Sequence, residues 1–267
     1  MFTEISSKNN EQLKYLRKLS NKSFRDHENA FFIEGTKLFD EAFSEASQGN
    51  LTFRHVFMTE QWFELQSHSI RDALKMLNEK GITVSIIKEA ILNSVSTMAQ
   101  SEGIICILNK MTYPVSDFKS YILLEDVQDP YNVGTIIRTA DAAGIDCIIT
   151  SMKTADIYNE KVLRGSMGSV FHLPVYQVES LTEYTAILKD KKVVIIGTSL
   201  NGESLWERKP VTEPYAIVMG NESRGMSDEL MKQCDVLLKI PILGKAESLN
   251  VSTAAGIIIY DILKDMK

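Results

Sequence analysis

Cysteine, histidine and long apolar runs are all scarce in this sequence, and each shortage excludes a class of protein. The three cysteines (Cys106, Cys147 and Cys234) are far apart in apolar, strand-like runs, so we interpret them as buried thiols in a reducing compartment. The four histidines show no ligand spacing, and we predict no metal site. No apolar run approaches the ~18 residues of a membrane span. The first residues also lack the basic head and apolar stretch of a signal peptide. We therefore expect a cytoplasmic protein that does not enter a membrane.

Two kinds of phosphate-binding loop are also missing. Gly197–Ser204 has the glycine spacing of a nucleoside-triphosphate loop, but Glu203 occupies the position that needs a lysine. A carboxylate there would repel the phosphates, and Pro210 interrupts the helix that should follow. The GxGxxG fingerprint is absent as well. The sequence thus argues against a triphosphate site and gives no support for a dinucleotide fold of the usual kind.

Positive charge is scarce overall but concentrated at the N-terminus. The net charge of −6 argues mildly against a nucleic-acid partner. Residues 1–25 nevertheless carry six basic side chains against two acidic ones. Asn9 or Asn10 can cap a first helix that runs to about Leu19, and its basic side chains either form a solvated face or contact phosphates. The candidates for phosphate contact are Lys14, Arg17, Lys18, Lys22 and Arg25.

What the sequence does contain is an alternation of apolar strands and amphipathic helices. In the first part we predict strands at 30–33, 55–58, 83–87 and 104–108, and helices at 36–47, 66–80 and 88–98. This order indicates an α/β unit. Because the unit has no glycine-rich phosphate loop and no cluster of titratable groups, we interpret it as a recognition domain. Asn109–Lys119 is polar, contains Pro114 and follows a complete strand. We therefore predict a smaller domain over residues 1–110 and a second domain over residues 111–267.

The second part continues the alternation and adds three loops that contain glycine. We predict strands at 121–125, 146–150, 175–178, 192–196, 215–219 and 236–241, with helices at 135–143, 159–165, 182–189 and 227–233. The loops Gly197–Gly202, Gly220–Gly225 and Gly244–Leu249 each follow a strand. In a parallel sheet such loops gather at one edge, where ligands bind. None of them places a basic residue for a triphosphate, so we expect a ligand with an adenine and a positively charged centre.

The last of these loops leads into the C-terminal helix. Ser248 precedes a long apolar run, so we predict that it caps the helix. Gly256 within the helix costs about 1 kcal/mol relative to alanine, and close packing or a ligand is expected to offset that cost. Earlier in the sequence, Asn132 either hydrogen-bonds the backbone of a turn or contributes to the ligand site. Arg138 forms an ion pair, faces solvent or presents a fixed fork to a phosphate.

At these loops the sequence resembles the SpoU (TrmH-like) branch of the SPOUT RNA methyltransferases. The three motifs, in the expected order, are DPYNVGTIIRTADAAG, IVMGNESRGMSDEL and IPILGKAESLNVSTAAGIIIYDI. Residues 1–110 resemble, more weakly, the ribosomal-protein-L30e-like substrate-binding domain often attached to this branch. The resemblance implies a parallel α/β sheet with a C-terminal trefoil knot, S-adenosylmethionine bound in the knot, and a homodimer whose active site forms at the subunit interface.

The resemblance also implies roles for individual residues. By motif position the catalytic set is Arg138, Asn132, Glu222, Ser248 and Asn250. The cofactor-binding set is Thr198, Gly220, Ile240 and Leu249. The basic residues of the first helix region become candidates for RNA binding.

The implied reaction is methyl transfer to a ribose 2′-hydroxyl, whose proton must be taken or whose developing charge must be stabilised. Glu222 is one conceivable base. A guanidinium stays protonated, so we assign Arg138 to gripping the target phosphate and stabilising the alkoxide. We favour 23S ribosomal RNA over transfer RNA as the substrate, and an antibiotic-resistance role stays open. The alternatives are a catalytically silent RNA-binding protein of the same fold and a small-molecule α/β enzyme.

Overall fold

Strands and helices alternate over most of the described residues, as the hydrophobic pattern predicts. The computed structural model describes residues 2–113, 116–211 and 214–266. Pro114 of the predicted linker lies outside the described residues. Up to residue 113 the elements are β1 (Thr3–Ile5), α1 (Glu11–Lys18), α2 (Lys22–Glu28), β2 (Ala30–Glu34), α3 (Thr36–Ser47), β3 (Phe53–Met58), α4 (Glu60–Leu65), α5 (His68–Glu79), β4 (Thr83–Ile87), α6 (Glu89–Leu92) and β5 (Ile104–Asn109).

The second part of the chain begins with a buried strand. From residue 116 the elements are β6 (Ser120–Leu124), α7 (Pro130–Ala143), β7 (Cys147–Ser151), α8 (Glu160–Ser166), β8 (Val175–Val178), α9 (Leu181–Asp190), β9 (Val194–Ser204), β10 (Tyr215–Met219), α10 (Asp228–Gln233), β11 (Val236–Lys239) and α11 (Val251–Leu263). Short 3-10 helices follow α8 and α11. None of the described helices is long and apolar enough to cross a membrane.

Contacts divide the chain into two units. The first is Met1–Tyr113 with Tyr158–Phe171, and the second is Pro114–Ile157 with His172–Lys267. α8 thus belongs to the first unit, where it packs on β2, and the Tyr158 ring lies 4.6 Å from that of Phe31. The predicted division after residue 110 assigns Tyr158–Phe171 to the second domain, whereas the contacts place this segment in the first unit.

The first unit is built on a mixed sheet with the strand order β1-β4-β3-β5-β2. β1, β4 and β3 run parallel, and β5 is antiparallel to both β3 and β2. α1 covers one face, because its leucines share one side of the helix. Leu13, Leu16 and Leu19 are buried there with Phe57 and Ile105.

The second unit is built on a parallel sheet with the strand order β11-β9-β10-β6-β7-β8. From β6 the chain proceeds outward through β7 and β8. It then returns to the other side of β6, where β9 and β10 lie, with β10 directly beside β6. The topological switch point therefore lies between β6 and β10, which pair from Tyr215↔Ser120 to Met219↔Leu124. α9 and α10 supply Leu181, Leu188 and Leu230 to a core on the sheet. α7 and α11 pack on each other, and α11 also contacts β10.

Two predicted helices have wrong bounds for physical reasons. α7 begins at Pro130, not at residue 135, because Asp129 caps it by accepting from the Tyr131 N–H at 2.9 Å. Proline suits this first turn since its missing N–H would have no helical partner. The helix predicted at 88–98 is only Glu89–Leu92, after which the chain turns.

The start of the C-terminal helix also differs from the prediction. Asn250, not Ser248, caps α11, and its Oδ1 accepts from the N–H groups of Ser252 at 2.9 Å and Thr253 at 3.3 Å. Ser248 is exposed in the loop before it. Asparagine and serine are both good caps, so the sequence alone could not choose between two polar residues so close together.

Candidate functional site

The sequence predicted Gly197–Gly202 as a loop, but this segment is part of β9. This part of β9 and the loops that follow β10 and β11 surround a cavity of about 440 Å³ in the second unit. It lies at the carboxyl ends of the strands, where ligands of parallel α/β sheets bind. Thr198, Gly220, Ile240 and Leu249, which the sequence predicts as cofactor-binding residues, all line it. Two predicted catalytic residues, Glu222 and Ser248, line it as well.

One glycine of this cavity is required by close backbone approach. A Cβ on Gly220 would lie 2.3 Å from the carbonyl carbon of Gly225 and 2.3 Å from the nitrogen of Met226. The loop 221–225 closes on itself there, with the Asn221 and Gly225 backbones bonded to each other at 3.0 and 2.9 Å. Any other residue at position 220 would displace this turn, and Glu222 with it.

The lining suits a flat heterocycle joined to a cationic centre. Its apolar side chains are Leu200, Met219, Met226, Met231, Leu238, Ile240, Ile242, Leu249, Val251, Ala254 and Ile258. The Glu222 carboxylate supplies negative charge at the same wall. Two basic residues, Arg224 and Lys239, also line the cavity; the Arg224 guanidinium is paired with Asp126, and Lys239 is exposed. This composition agrees with the expected adenine and positive centre.

The Glu222 carboxylate is the convergence point of the site. It accepts from the N–H groups of Gln128 at 3.2 Å and Asp129 at 3.0 Å, and from the side-chain amides of Asn132 at 3.1 Å and Asn221 at 3.4 Å. Partial burial alone would raise the pKa of Glu222, but the bonds from Asp129 and Asn132 outweigh it and lower the pKa. A carboxylate held ionised by several donors is a weak base. Glu222 therefore holds the surrounding loops in place and is poorly suited to accept a proton.

Two asparagines extend this anchor to the last helix. Asn132 is buried, and because its Nδ2 donates to Glu222, its Oδ1 faces Asn250 and accepts from Asn250 Nδ2 at 2.8 Å. Asn250 Oδ1 in turn accepts from the first turn of α11. In this series of hydrogen bonds every side-chain amide donates in the direction of Glu222, so the orientation of each amide is fixed by its neighbours.

A second set of bonds shapes the loop after β6, and the sequence analysis missed it. Asp126 is buried, has a left-handed backbone (φ 55°) and pairs with Arg224. Its N–H donates to Ser151 Oγ at 2.8 Å, and its carbonyl accepts from Asn221 Nδ2 at 2.8 Å. The only signal in the sequence was an aspartate directly after a buried strand. These contacts hold the Gln128 and Asp129 N–H groups in place for Glu222.

Arg138 is not part of this network within one chain. It is exposed on α7, does not line the cavity, and makes no hydrogen bond or ion pair with the described residues. Six residues after Asn132, it is about 9 Å further along the helix and on a different side. The structure therefore brings together the predicted residues Asn132, Glu222, Ser248 and Asn250 but leaves Arg138 apart.

The basic residues predicted to bind RNA lie in the first unit, and the prediction is wrong for one of them. Arg25 is 2% exposed, and its guanidinium donates to the carbonyls of Leu19 at 2.7 Å and Ser20 at 3.0 Å. It satisfies the free carbonyls after α1 and cannot reach a phosphate. Lys14, Arg17, Lys18 and Lys22 are exposed.

No cluster of histidine, cysteine or carboxylate groups that could hold a metal occurs among the described residues. The three cysteines are free thiols, and burial raises the pKa of Cys147 and of Cys234 to about 12.

Two family models match the chain. The SpoU rRNA Methylase family matches residues 119–260, and the MRM3-like substrate binding domain matches residues 10–106. The first match contains the first two motifs of the resemblance, all but the last two residues of the third, and the whole hydrogen-bond network around Glu222. The second covers most of the first unit.

Relatives and solved structures agree with these matches. The 23S rRNA (guanosine(2553)-2'-O)-methyltransferase RlmP of Bacillus subtilis is 32% identical over 96% of this chain and 98% of that protein. The AdoMet-bound rRNA methyltransferase of Sinorhizobium meliloti superposes with a TM-score of 0.83 at 26% identity, covering 100% of this chain and 99% of that one. The AdoMet complex of AviRb, a SpoU methyltransferase of Streptomyces viridochromogenes, gives a TM-score of 0.80 at 25% identity over 96% and 99% of the chains. The resemblance inferred from the motifs is confirmed: the chain belongs to the SpoU rRNA methylase family.

Proposed function

We propose that this chain transfers a methyl group from S-adenosylmethionine to a ribose 2′-hydroxyl of 23S ribosomal RNA, in the cytoplasm. The proposal is supported by the match to RlmP over nearly the full length of both chains. The single observation that carries it is the Glu222–Asn132–Asn250 network, which joins residues of all three motifs beside one cavity.

Thr198, Gly220, Ile240 and Leu249 are the residues proposed to hold the cofactor. Thr198 Oγ1 donates to the Val218 carbonyl at 3.0 Å, which fixes this part of β9 against the end of β10. When bound, S-adenosylmethionine supplies an electrophilic methyl group and leaves as a neutral thioether, so the protein needs no acid at that end. The chain's own task is to place the hydroxyl and stabilise its developing charge.

A C-terminal trefoil knot is part of the proposal. β11 lies at the edge of the sheet beside β9, yet the following helix packs on α7, which comes after the central strand β6. Residues of the segment between them line the same cavity as the second half of β9 and the loop 221–225. Threading of this segment through a loop of the chain would fix the cavity walls, and it follows from the family resemblance.

A homodimer that completes the site with Arg138 is also proposed. Tyr131, Thr135 and Arg138 form an exposed stripe on α7 at helical spacing, and α11 exposes Ile257 at 39% and Tyr260 at 49%. These two helices pack together, so the stripes belong to one face of the second unit. An apolar face with an exposed guanidinium suits a second copy, because the Arg224 guanidinium that lines the cavity is already paired with Asp126.

Gly256 gives separate support for a covered face. A Cβ there would meet only Thr139 Cγ2, at 3.6 Å, which is an ordinary contact. Nothing among the described residues therefore requires glycine at this position, although it costs about 1 kcal/mol relative to alanine. Close approach of a partner helix would account for it.

In the proposed mechanism Arg138 of one subunit grips the target phosphate and stabilises the alkoxide in the other subunit's site. Ser248 is exposed at the cavity and free to contact the ribose, whereas Asn250 is already bonded at both ends of its amide. Asn250 therefore acts by positioning the loop that carries Ser248 and Leu249. Glu222 anchors this arrangement and does not take the proton.

The test is to map 2′-O-methyl positions in ribosomal and transfer RNA from a strain that lacks this gene. The proposal expects the loss of one 2′-O-methyl position in 23S RNA and its return on complementation. A loss confined to transfer RNA would support the transfer-RNA alternative, and unchanged methylation of both RNAs would contradict the proposed activity.

A further inference from the structure

A second cavity, of about 490 Å³, lies wholly within the first unit between α1 and the sheet. Its lining residues are Glu11, Gln12, Lys14, Tyr15, Lys18, Glu28, Arg54, His55 and Ile107. It combines a partly buried polar wall, an apolar floor and an exposed charged rim. Its volume falls within the range of small-ligand sites.

The wall is formed by Arg54, which lies at an irregularity in the β3–β5 pairing between Phe53 and His55. Such bulges redirect a side chain. The Arg54 guanidinium donates to Tyr15 Oη at 2.8 Å, to the Glu28 carbonyl at 2.8 Å and to Asn109 Oδ1. Tyr15 is thereby held with its ring between α1 and the sheet, edge-on to Phe24 at 5.5 Å.

The floor is neutral at physiological pH. His55 is 6% exposed, stacks on Phe57 at 4.0 Å and bonds Ser85 Oγ at 2.8 Å. Burial lowers the pKa of His55 to about 4, so the ring stays uncharged. Ile107, its cross-strand neighbour, completes the floor.

The rim divides the basic residues of α1 into two groups. Lys14 and Lys18 are one turn apart and both line the cavity. Lys14 is paired at 2.7 Å with Glu11, an exposed residue of the same rim, so a phosphate on Lys14 would replace that carboxylate. Arg17 points elsewhere, with its guanidinium 3.2 Å from the Lys8 carbonyl and 3.4 Å from Ser94 Oγ. Lys22 is paired with Asp26. Only Lys14 and Lys18 of the predicted cluster therefore face a concave surface.

We propose that this cavity binds one unpaired nucleotide of the RNA substrate, with its phosphate on Lys14 and Lys18 and its base against Tyr15 and Arg54. The inference rests on the proposed RNA substrate and adds a site that no motif marks. Two lysines at the rim suit a backbone phosphate, while an aromatic ring and a guanidinium are surfaces on which unstacked bases pack. Glu28, which accepts from Tyr15 Oη at 3.1 Å, offers a carboxylate to the amino group of such a base.

The test compares the double variant Lys14→Gln/Lys18→Gln with the matched variant Lys75→Gln in the full-length protein. Lys75 is also an exposed lysine on a helix of the first unit, paired with Asp72, but it does not line the cavity. The probe is a single-stranded RNA of about 12 nucleotides that contains 4-thiouridine, a length within the usual site size. Losing two phosphate contacts should weaken binding roughly tenfold and reduce the slope of log affinity against log salt by about 1.4.

Photo-crosslinking of the same probe reports on the base. Adducts are expected in the peptide that contains Tyr15 or the peptide that contains Arg54, and they should decrease in the double-lysine variant. If the double variant binds like Lys75→Gln, or if adducts form only outside the first unit, the inference is wrong.

Methylation by the wild-type protein is measured in parallel, so that the two proposals can fail separately. If the wild-type protein methylates RNA but the double-lysine variant binds RNA as tightly as Lys75→Gln does, the nucleotide site alone is wrong. Lysine-dependent RNA binding with no methyl transfer would overturn the proposed activity alone.

Discussion

Asn250 donates its side-chain amide to Asn132 across 2.8 Å, joining residues that are 118 positions apart in the sequence. One begins the last helix and the other lies in the first turn of α7, so the bond ties the first motif to the third. Glu222 of the second motif holds the opposite end of Asn132. The three motifs are thus a single hydrogen-bonded assembly around one ionised carboxylate.

Replacing Asn132 by aspartate tests the polarity of this assembly. The new carboxylate could not donate to Glu222 and would place a second negative charge beside it, so we expect a loss of about 1–3 kcal/mol in the free energy of unfolding. Urea unfolding of the full-length protein measures this loss. Asn10→Asp is the control, because aspartate caps a helix as well as asparagine does. Equal stability of the two variants would show that Asn132 does not donate to an ionised partner.

Arg138→Ala should abolish methyl transfer while leaving S-adenosylmethionine affinity unchanged, because Arg138 lies away from its own cavity. If Arg138 acts in the partner's site, mixing the Arg138→Ala protein with the Glu222→Ala protein should restore activity in the mixed dimers. With random exchange, half the dimers are mixed and each has one intact site, which gives about a quarter of wild-type activity for a two-fold symmetric dimer. An inactive mixture with proven subunit exchange would place Arg138 in its own chain's site or outside catalysis.

Ile257→Glu tests the proposed dimer face directly. Burying a carboxylate in an apolar interface is costly, so we expect light scattering to give half the molar mass of the wild type. Ile187→Glu is the matched control, since Ile187 is 53% exposed on α9, whose buried side chains pack on the sheet core. Dissociation by both variants, or by neither, would argue against this face.

Arg208 anchors the C-terminal helix through Asp261 and Asp265, and its side chain is 7% exposed. Arg208→Ala leaves both carboxylates without this partner and should destabilise the second unit by about 2–4 kcal/mol. Arg208→Lys keeps the charge but loses the planar fork, so an intermediate loss is expected. Thermal unfolding of the three proteins gives the order.

The same ion pairs predict a pH dependence. Burial alone would raise the pKa of Asp261 and of Asp265. The bonds to Lys264 and Arg208 lower the pKa of Asp261 below the ordinary 3.8, and the bonds from Arg208 and the Val211 N–H lower that of Asp265. A lowered pKa in the folded state means that this stability is present above pH 3.8 and disappears as the pH falls through the folded values. Wild type should therefore lose more stability than Arg208→Ala over that interval, and parallel losses would show that Arg208 does not set these pKa values.

The sequence predicted the parallel sheet and the location of the site because both depend on strong local signals. Apolar runs define the strands, and the segments at their carboxyl ends must gather at one edge. Thr198, Gly220, Ile240 and Leu249 meet at one cavity for that reason, although Thr198 lies within β9 and not in the predicted loop.

Other features depend on tertiary partners that a sequence pattern does not encode. Arg25 belongs to a basic cluster in sequence, yet its position after α1 turns it inward to bond free carbonyls. Asn250 was chosen over Ser248 as the cap because Asn132 holds its amide in place. Asp126 gained its role only from Ser151, Asn221 and Arg224, which are distant in sequence.

The most direct measurement of the central claim is transfer of label from methyl-tritiated S-adenosylmethionine to 23S ribosomal RNA by the purified protein. The account predicts one labelled nucleotide whose 3′ linkage resists alkali, because a 2′-O-methyl group blocks cleavage there, and no label with Glu222→Ala. Label on a base, or undiminished transfer by Glu222→Ala, would contradict it.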